Sequence, residues 1–472
     1  MKVESSPYLT GLKPVLKRLT DTLLEKYAYA SVLAADVDAK DYSVSARGTS
    51  IAENGRFGRR GFVVRVYDQG GYAEYSANAL DEASIPGILS HIEEELKKSA
   101  AFSRVRTPLL QDEPLSFVKS TEYAKDPETL GDEGIIAKLQ SIRQKGIRLD
   151  ERLLDTGVRF SFQKYHKLFL SANRDLEQNV LWTSLSISMM ARKDQQIKSS
   201  YRSMSLLGGA ELFDGVEDLL PKLKDVVIEL LDSEPLKPGE YECVCTPEVT
   251  GMIVHEAFGH GVEMDMFVKD RALAQHYVGE YVASPLITMH DGAASGYDDV
   301  ATYFFDDEGN VATDTVIIDR GVLKNGIADA VSAARLNVRP TGNGRRESVD
   351  HKVYTRMTNT YFIEGNDTVE EMIGSVKDGL LLEEPSSGME DPKNWGIQCM
   401  VSFAREIKDG KLTGRIFSPV VLSGYVPDLL KSITMVSSKI GHSGGGACGK
   451  GWKEWVKVSD GGPYIKARIR LG

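Results

Sequence analysis

Two kinds of hydrophobic pattern divide the first half of the chain into helices and strands. Apolar residues from Leu12 to Tyr27 recur at helical spacing and predict a helix over residues 11–30. Alternating or β-branched residues predict strands at 41–46 and 61–67, and Asn54-Gly55 predicts a turn between them. The same criteria predict further helices near 82–99, 129–147 and 216–230, and further strands near 152–170 and 179–192.

The second half of the chain has shorter strand-like runs, separated by loops rich in glycine. These runs predict strands at 241–246, 300–305, 314–318, 359–363, 399–405 and 413–421. Helices and strands do not alternate regularly, which favours an α+β fold over a doubly wound parallel sheet. Two prolines and a glycine between residues 232 and 239 predict a domain boundary. We therefore expect an N-terminal α+β domain at 1–232 and a strand-rich C-terminal domain at 233–472.

The composition predicts a globular protein that binds neither nucleic acid nor membrane. Of the residues, 42% are hydrophobic and 26% are charged, as in folded domains. A net charge of −11 argues against a nucleic-acid surface, because phosphate backbones bind to clustered lysine and arginine. No apolar run reaches the roughly 18 residues of a membrane helix, and the N-terminal segment lacks the apolar region of a signal peptide. We expect a cytoplasmic protein.

Residues 255–260, with the sequence His-Glu-Ala-Phe-Gly-His, bring two imidazoles and a carboxylate together in a chain with only eight histidines. Catalytic zinc takes three protein ligands and leaves one position for water. His255 and His260 are candidates for two of these ligands. Glu256 would then be the base that takes a proton from the water that the metal activates. The residues predict a metal-dependent hydrolase, although a helix with two histidines and a surface glutamate is the simpler alternative.

The spacing of the two histidines requires a departure from regular helix geometry. Residues five apart on an α-helix point about 140° away from each other. A π-type turn, with its i→i+5 hydrogen bonds, would realign His255 and His260. Alternatively, the helix could end at Gly259 or Gly261, because glycine tolerates the required backbone angles. We expect one of these two solutions, and we place the metal-site helix in the C-terminal domain.

The sequence leaves the third ligand open between two residues. Glu263 lies three residues after His260 and is the local candidate. Cys448 is the distal candidate, because it lies in the glycine-rich segment 444–450, where a thiolate can approach a metal without steric hindrance. The other three cysteines lie in apolar strand-like runs, so we interpret them as core residues.

Three other features of the second half have alternative interpretations. His442 could orient a metal ligand or could be an ordinary exposed loop residue. Arg345 and Arg346 could bind the carbonyl or carboxylate groups of a substrate, or could simply face solvent. Residues 444–450 are similar to a phosphate-binding loop, but Gly451 stands where such a loop needs serine or threonine for magnesium. A nucleotide-binding regulator that uses Lys450 is therefore the weaker alternative to a hydrolase.

Four stretches of the second half together resemble the TldD/PmbA family of metalloproteases, in its TldD-type catalytic members. They are residues 255–265 (HEAFGHGVEMD), 305–309 (FDDEG), 342–346 (GNGRR) with 356–360 (RMTNT), and 446–450 (GACGK). The stretches occur in the family's order, whereas the N-terminal half matches only in its length and its strand-turn-strand opening. Residues 451–455 (GWKEW) depart from the family's pattern by being more aromatic and more charged.

The resemblance implies a two-domain α+β protein that forms a dimer and cleaves peptides or unfolded polypeptide segments in an enclosed cleft. It implies one divalent metal per chain, zinc, held by His255, His260 and Cys448, with Glu256 as the catalytic carboxylate. The partner would be a second copy or a family-related subunit, and extended peptide would bind by strand addition to a β edge. The non-enzyme alternative is a scaffold or chaperone-type subunit that binds peptides without cutting them.

Overall fold

The computed structural model describes residues 1–53, 59–102, 106–109, 112–297, 299–451 and 454–472, and burial is described for these residues except 99–102. Among the described residues, no helix is both long and apolar enough to cross a membrane. The elements of the first half are α1 (Pro7–Leu24), β1 (Tyr29–Ser45), β2 (Gly48–Glu53), β3 (Gly61–Asp68), β4 (Gly71–Ala77), α2 (Ile85–Phe102), β5 (Leu115–Ser120), α3 (Pro127–Ile147), β6 (Leu153–Ser171), β7 (Arg174–Lys193), β8 (Gln196–Leu206) and α4 (Leu220–Leu230).

The second half contains more strands, and most of them are short. Its elements are β9 (Gly239–Cys245), α5 (Pro247–Ile253), α6 (Met264–Val268), β10 (Met289–Asp291), β11 (Thr315–Asp319), β12 (Val322–Leu323), α7 (Ala330–Leu336), β13 (Gly344–Arg345), β14 (Tyr354–Thr355), β15 (Asn359–Phe362), α8 (Val369–Gly374), β16 (Asp378–Asp391), β17 (Gly396–Lys408), β18 (Lys411–Phe417), β19 (Val420–Tyr425), α9 (Val426–Lys431), β20 (Met435–Ser443), β21 (Ala447–Lys450), β22 (Glu454–Lys457) and β23 (Ser459–Leu471).

The first half is built on one sheet with helices on one of its faces. Among the described residues the sheet has eight strands, in the order β4-β3-β1-β6-β7-β5, with β2 paired to β1 and β8 paired to β7. Alternate residues of the long strands pack against α1 and α2 in one core and against α3 and α4 in another. The opposite face meets the second half of the chain, where Phe169 and Leu176 pack with Phe305 and Val349.

The second half is built on a larger sheet that closes on itself. Its order is β12-β11-β10-β15-β23-β19-β17-β16-β9, and β9 also pairs with β23. Strand β9 is parallel to β16 and antiparallel to β23, so β9, β16, β17, β19 and β23 form a ring. Helix α5 has nearly all of its residues buried and packs against β16 and β23. This arrangement fixes the direction of the chain that follows α5.

The α+β prediction and the strand-rich second half are confirmed. The helix predicted at 11–30 ends at Leu24, because the chain enters β1 at Tyr29. The strand predicted at 300–305 is wrong. The Ala301 and Phe304 amides donate to the side chains of Asn359 and Gln178 and so do not join a strand ladder. The predicted turn at 54–55 lies outside the described residues, and the domain division between residues 232 and 233 stays a prediction.

Candidate metal centre

The two histidines lie on an irregular helical segment that begins where α5 ends. Residues 254–259 form a π-type turn, and residues 260–262 continue it as a 3₁₀ turn. The first of the two solutions expected from the spacing is therefore the one found. The imidazole rings of His255 and His260 lie 5.3 Å apart between centroids and are nearly perpendicular. Both side chains thus face the same site, although they are five residues apart.

Cys448 reaches this site from strand β21, which pairs with β22 as a short hairpin. Its Sγ lies 3.2 Å from His260 Nε2, although 188 residues separate the two in sequence. One ligand atom from each of His255, His260 and Cys448 lies within 4.8 Å of the other two. The loop before Cys448 lies directly on strand β8, where a Cβ on Gly444 would collide with Ser205 Oγ. The structure therefore brings together the three residues that the resemblance implies.

The charges of these three residues depend on one another. Burial raises the pKa of the Cys448 thiol, but His260 and His255 outweigh it and hold that pKa well below its usual range. Burial lowers the pKa of His260, but Cys448 and Glu263 outweigh it and raise that pKa well above its usual range. The pKa of His255 is raised in the same way, mainly by Cys448. The site thus favours a thiolate that is balanced by nearby positive charge.

The donor set fits a divalent metal ion of the zinc type. Two imidazole nitrogens and a thiolate match the ligands of catalytic zinc sites, which keep one further position open. His255 Nδ1 is buried and has no hydrogen-bond partner within the described part of the chain. A cation between the three side chains would replace the protons that otherwise balance the thiolate, because metal ligands bind in their deprotonated forms.

Glu256 projects into a cleft of about 730 Å³ that lies in front of the three residues. It is half-buried, and its side chain packs on strand β16, where a Cβ on Gly388 would lie 3.0 Å from Glu256 Cδ. The carboxylate therefore faces the same space as the candidate ligands. This is the position that a base acting on water at the metal needs.

Glu263, the local candidate for the third ligand, binds elsewhere. Its Oε2 lies 3.2 Å from His260 Nδ1, on the opposite side of the ring from the nitrogen that faces Cys448. The same oxygen accepts a hydrogen bond of 2.9 Å from Lys450. Burial raises the pKa of Glu263, but Lys450 and His260 outweigh it and lower that pKa to about 2. In this position the carboxylate would orient the imidazole of His260 and would not itself supply the third ligand.

Arginines of the other resembling stretches hold the backbone around the site. Arg356 is fully buried and donates to the carbonyl of Cys448 at 2.7 Å and to that of Glu454 at 3.0 Å. Arg345 donates to the carbonyls of Met357 and Lys457 at 2.7 Å each. Arginine suits this role because its planar group can bind two carbonyls at once.

Arg346 and His442 lie away from the three candidate ligands. Arg346 is buried and pairs with Glu74, so neither the substrate-binding nor the solvent-facing interpretation describes its contacts. His442 lies on β20, and its Nδ1 is 3.2 Å from Asp299 Oδ2. It therefore has a partner of its own and is not an ordinary loop histidine.

Two further carboxyl groups of the cleft were not singled out from the sequence. Both carboxylate oxygens of Glu390 are buried without a hydrogen-bond partner in the described part of the chain, and burial raises its pKa well above the usual range. Burial also raises the pKa of Asp460, to about 6. These residues lie on β16 and β23, so only the pairing of distant strands brings them to the cleft. No local sequence signal marks them.

Comparisons with known proteins identify related sequences and structures. The profile of the PmbA/TldA metallopeptidase C-terminal domain matches residues 238–469. A metalloprotease of Archaeoglobus fulgidus is 30% identical over 64% of this chain and 69% of its own length. A zinc metalloprotease TldD homolog of Saccharolobus solfataricus is 28% identical over 67% of this chain and 70% of its own length. The crystal structure of TldE from Thermococcus kodakarensis shares the fold, with a TM-score of 0.74 and 17% identity over 97% of this chain and 100% of its own.

Proposed function

This chain belongs to the TldD/PmbA family of metalloproteases, and we propose that it is a catalytic member, a metal-dependent peptidase. The observation that carries the proposal is the convergence of His255, His260 and Cys448 to within 4.8 Å of one another. They come from two segments far apart in the chain, so their meeting reflects the whole fold. A family member that only binds peptides has no need of this arrangement.

We assign His255, His260 and Cys448 as the ligands of one divalent metal ion per chain. The name of the S. solfataricus relative specifies zinc, and the two nitrogens and one sulfur suit zinc. When bound, such an ion lowers the pKa of water and polarises a substrate carbonyl. Glu263 fixes the ring of His260 by accepting from its Nδ1, so that Nε2 remains directed toward Cys448.

The remaining chemistry falls to Glu256. Its carboxylate lies in the cleft beside the ligands, where it can accept a proton from the attacking water. It can then pass this proton to the nitrogen of the leaving amine, as a base that becomes an acid within one turnover. Strand β16 holds the carboxylate in place, because Gly388 leaves room for it. One carboxylate, that of Glu256, therefore carries the proton from the attacking water to the leaving amine.

We propose that the substrates are peptides or unfolded polypeptide segments, and that the cleft is completed by a second subunit. Two side chains that line the cleft support this partner: Met389 is 65% exposed and Tyr201 is 37% exposed. A second chain that covered this edge of the cleft would remove their apolar area from water. The partner is a second copy or a family-related subunit.

Metal analysis and one substitution test this function. We expect about one zinc per chain in the purified protein, and hydrolysis of a mixture of unstructured peptides that a chelator abolishes. Glu256→Gln should keep the metal and reduce hydrolysis by about 100-fold or more, because it removes the base but no ligand. Glu248→Gln, which changes an exposed residue of the preceding helix α5, is the matched control and should be fully active.

Two outcomes would contradict the proposal. If Glu256→Gln cleaves peptides as fast as the parent protein, Glu256 is not the base. If the zinc-loaded parent protein binds peptides but cleaves none, the chain is a peptide-binding scaffold.

A further inference from the structure

One face of the first sheet carries a row of short hydroxyl side chains. Strand register aligns one residue from each of five neighbouring strands. In order across the sheet they are Ser50 of β2, Ser43 of β1, Arg159 of β6, Ser186 of β7 and Ser203 of β8. Four of the five residues in this cross-strand row are serines. A neighbouring row continues the pattern, with Ser161 of β6 opposite Ser184 of β7 and Ser184 opposite Ser205 of β8.

The polar row lies on the face of the sheet that the helices do not cover. At the other end of this face, apolar residues such as Phe169 and Leu176 pack against Phe305 and Val349 of the second half. The serine rows instead border an open groove of about 880 Å³. Trp182 and Trp455 also line this groove, but the two rows themselves present hydroxyl groups, which gain little from burial in a protein core. The change from apolar to hydroxyl residues therefore marks a surface that remains open to water or to a polar ligand.

The groove leads directly into the metal cleft. Five residues line both cavities: Tyr201, Ser443, Gly446, Ala447 and Trp455. Ser203, at one end of the row, lies against the loop that carries Cys448, since a Cβ on Gly445 would collide with its side chain. A chain that extends out of the metal cleft past this loop would pass onto the serine row.

The charges and hydroxyls of the groove indicate what it binds. The one arginine of the row, Arg159, pairs with Asp41, so the two charges balance each other. Ser43 and Ser50 hydrogen-bond to each other at 2.8 Å. Ser184 Oγ is buried and lacks a hydrogen-bond partner in the described part of the chain. A serine hydroxyl both donates and accepts, so it can pair with either group of a peptide main chain, whatever the side chains are.

We propose that the serine row is a binding site for an extended, polar polypeptide segment that continues from the scissile bond. The row crosses five strands and spans about 19 Å, because neighbouring strands lie ~4.8 Å apart. An extended chain advances ~3.3 Å per residue, so the row accommodates about six residues. The site therefore favours long, unstructured substrates over short peptides. The inference rests on the proposed peptidase function and adds the location of its substrate segment.

Two double variants test the serine row. Ser43→Ala with Ser186→Ala removes two hydroxyls that line the groove but not the metal cleft. We expect kcat/KM for peptides of about twelve residues to fall by about tenfold, the effect of losing two hydrogen bonds. Cleavage of four-residue peptides should not change. The control, Ser45→Ala with Ser188→Ala, alters the same strands and face two residues further along, outside both cavities, and should leave both substrates unaffected.

Binding measurements separate this inference from the peptidase function. In a Glu256→Gln background, the twelve-residue peptide should bind about tenfold more weakly after the Ser43 and Ser186 changes. Weaker binding without any hydrolysis by the parent protein would reject the peptidase function but keep the site. The proposed site would be wrong if the Ser43 and Ser186 changes weakened short and long peptides equally. It would also be wrong if the Ser45 and Ser188 control weakened the twelve-residue peptide as much.

Discussion

A Cβ placed on Gly388 would lie 3.0 Å from Glu256 Cδ and 3.1 Å from Cys399 Sγ. Strand β16 and the π-type turn therefore approach each other closely only because residue 388 has no side chain. The same Cβ would lie even closer to Glu256 Cγ, nearer than real Cβ atoms come to a neighbour, so one partner would have to shift. The position of the proposed base thus depends on a glycine that is 132 residues away in sequence.

Gly388→Ala should consequently displace Glu256 and leave the metal ligands in place. We expect kcat to fall by about 100-fold, because a displacement near 1 Å has an effect of this order on a reacting group. Zinc content, measured by elemental analysis, should remain unchanged. Gly396→Ala on the adjacent strand β17 is the control, since nothing lies within 4 Å of its Cβ. Full activity in Gly388→Ala would show that Glu256 does not depend on this contact.

Glu263→Gln should weaken metal binding without abolishing it. The amide keeps the shape of the side chain but loses the charge that holds His260 Nδ1 and the Lys450 ammonium. Loss of such an orienting carboxylate typically costs 10–100-fold in metal affinity. Competition with a chromophoric chelator measures this change.

Asp265→Asn provides the comparison for Glu263. Asp265 also pairs with Lys450, at 2.7 Å, but within the described part of the chain it makes no hydrogen bond or ion pair with His260. The affinity for zinc should stay within about twofold of the parent protein. If Glu263→Gln lost all of its metal and Cys448→Ser kept its metal, Glu263 would be the third ligand instead of Cys448.

The reactivity of Cys448 should depend on the metal. A thiolate that coordinates a metal is shielded from alkylation, whereas the metal-free thiolate should react quickly because its pKa is held low by His260 and His255 despite burial. Labelling followed by mass spectrometry should show slow modification before, and fast modification after, addition of a chelator.

Cys399 is the internal control for this labelling. It is fully buried on β17, and burial raises its pKa above the usual range. It should react slowly in both conditions, and Cys399→Ser should retain zinc, whereas Cys448→Ser should lose zinc and activity together. Equal labelling of Cys448 with and without chelator would remove it from the ligand set.

Lys457 should make stability depend on pH. Burial lowers the pKa of its ammonium to about 7, although Asp460 acts in the opposite direction. The unfolded chain keeps this proton up to a pH of about 10.5. Between pH 7 and that value the unfolded state binds more protons, so this group makes the free energy of unfolding rise with pH, by at most about 1.4 kcal/mol per pH unit.

Lys457→Met should remove this contribution. We expect the variant to be more stable than the parent protein at pH 7, and the difference to narrow as pH rises toward 10. Urea unfolding at several pH values measures it. Lys411→Met, at an exposed position of β18, should give a difference that does not change with pH. If the difference in the free energy of unfolding between Lys457→Met and the parent protein also stayed constant with pH, the ammonium of Lys457 would not be buried in solution.

The parts of the site that depend on neighbouring residues could be predicted from the sequence. His255, Glu256 and His260 are close in the chain, and helix geometry alone indicates that a π-type turn could align them. Strands β6 and β7 were also predicted over most of their length, whereas β1 was predicted only over residues 41–46. Cys448 stood out through its glycine neighbours, and the family resemblance then linked it to the histidines.

The parts that depend on strand register could not be predicted. Glu263 was a candidate ligand because only its distance in sequence was known, whereas the fold decides which side of the His260 ring it faces. Arg356 and Asp460 reach the site because β15 and β23 bring distant segments together. The serine row has the same origin, because four serines and one arginine from five different strands form a row only after the strands pair.

The 188 residues between His260 and Cys448 have a consequence for the chain as a whole. An ion bound to both side chains would act as a cross-link between the turn after α5 and the hairpin β21–β22. A covalent link that closes a loop of this length raises the free energy of the unfolded chain by about 5 kcal/mol, because it lowers the conformational entropy of that chain. Removing the ion should therefore lower the thermal stability of the second half and make it more susceptible to proteases. Either measurement would report metal loss without a substrate.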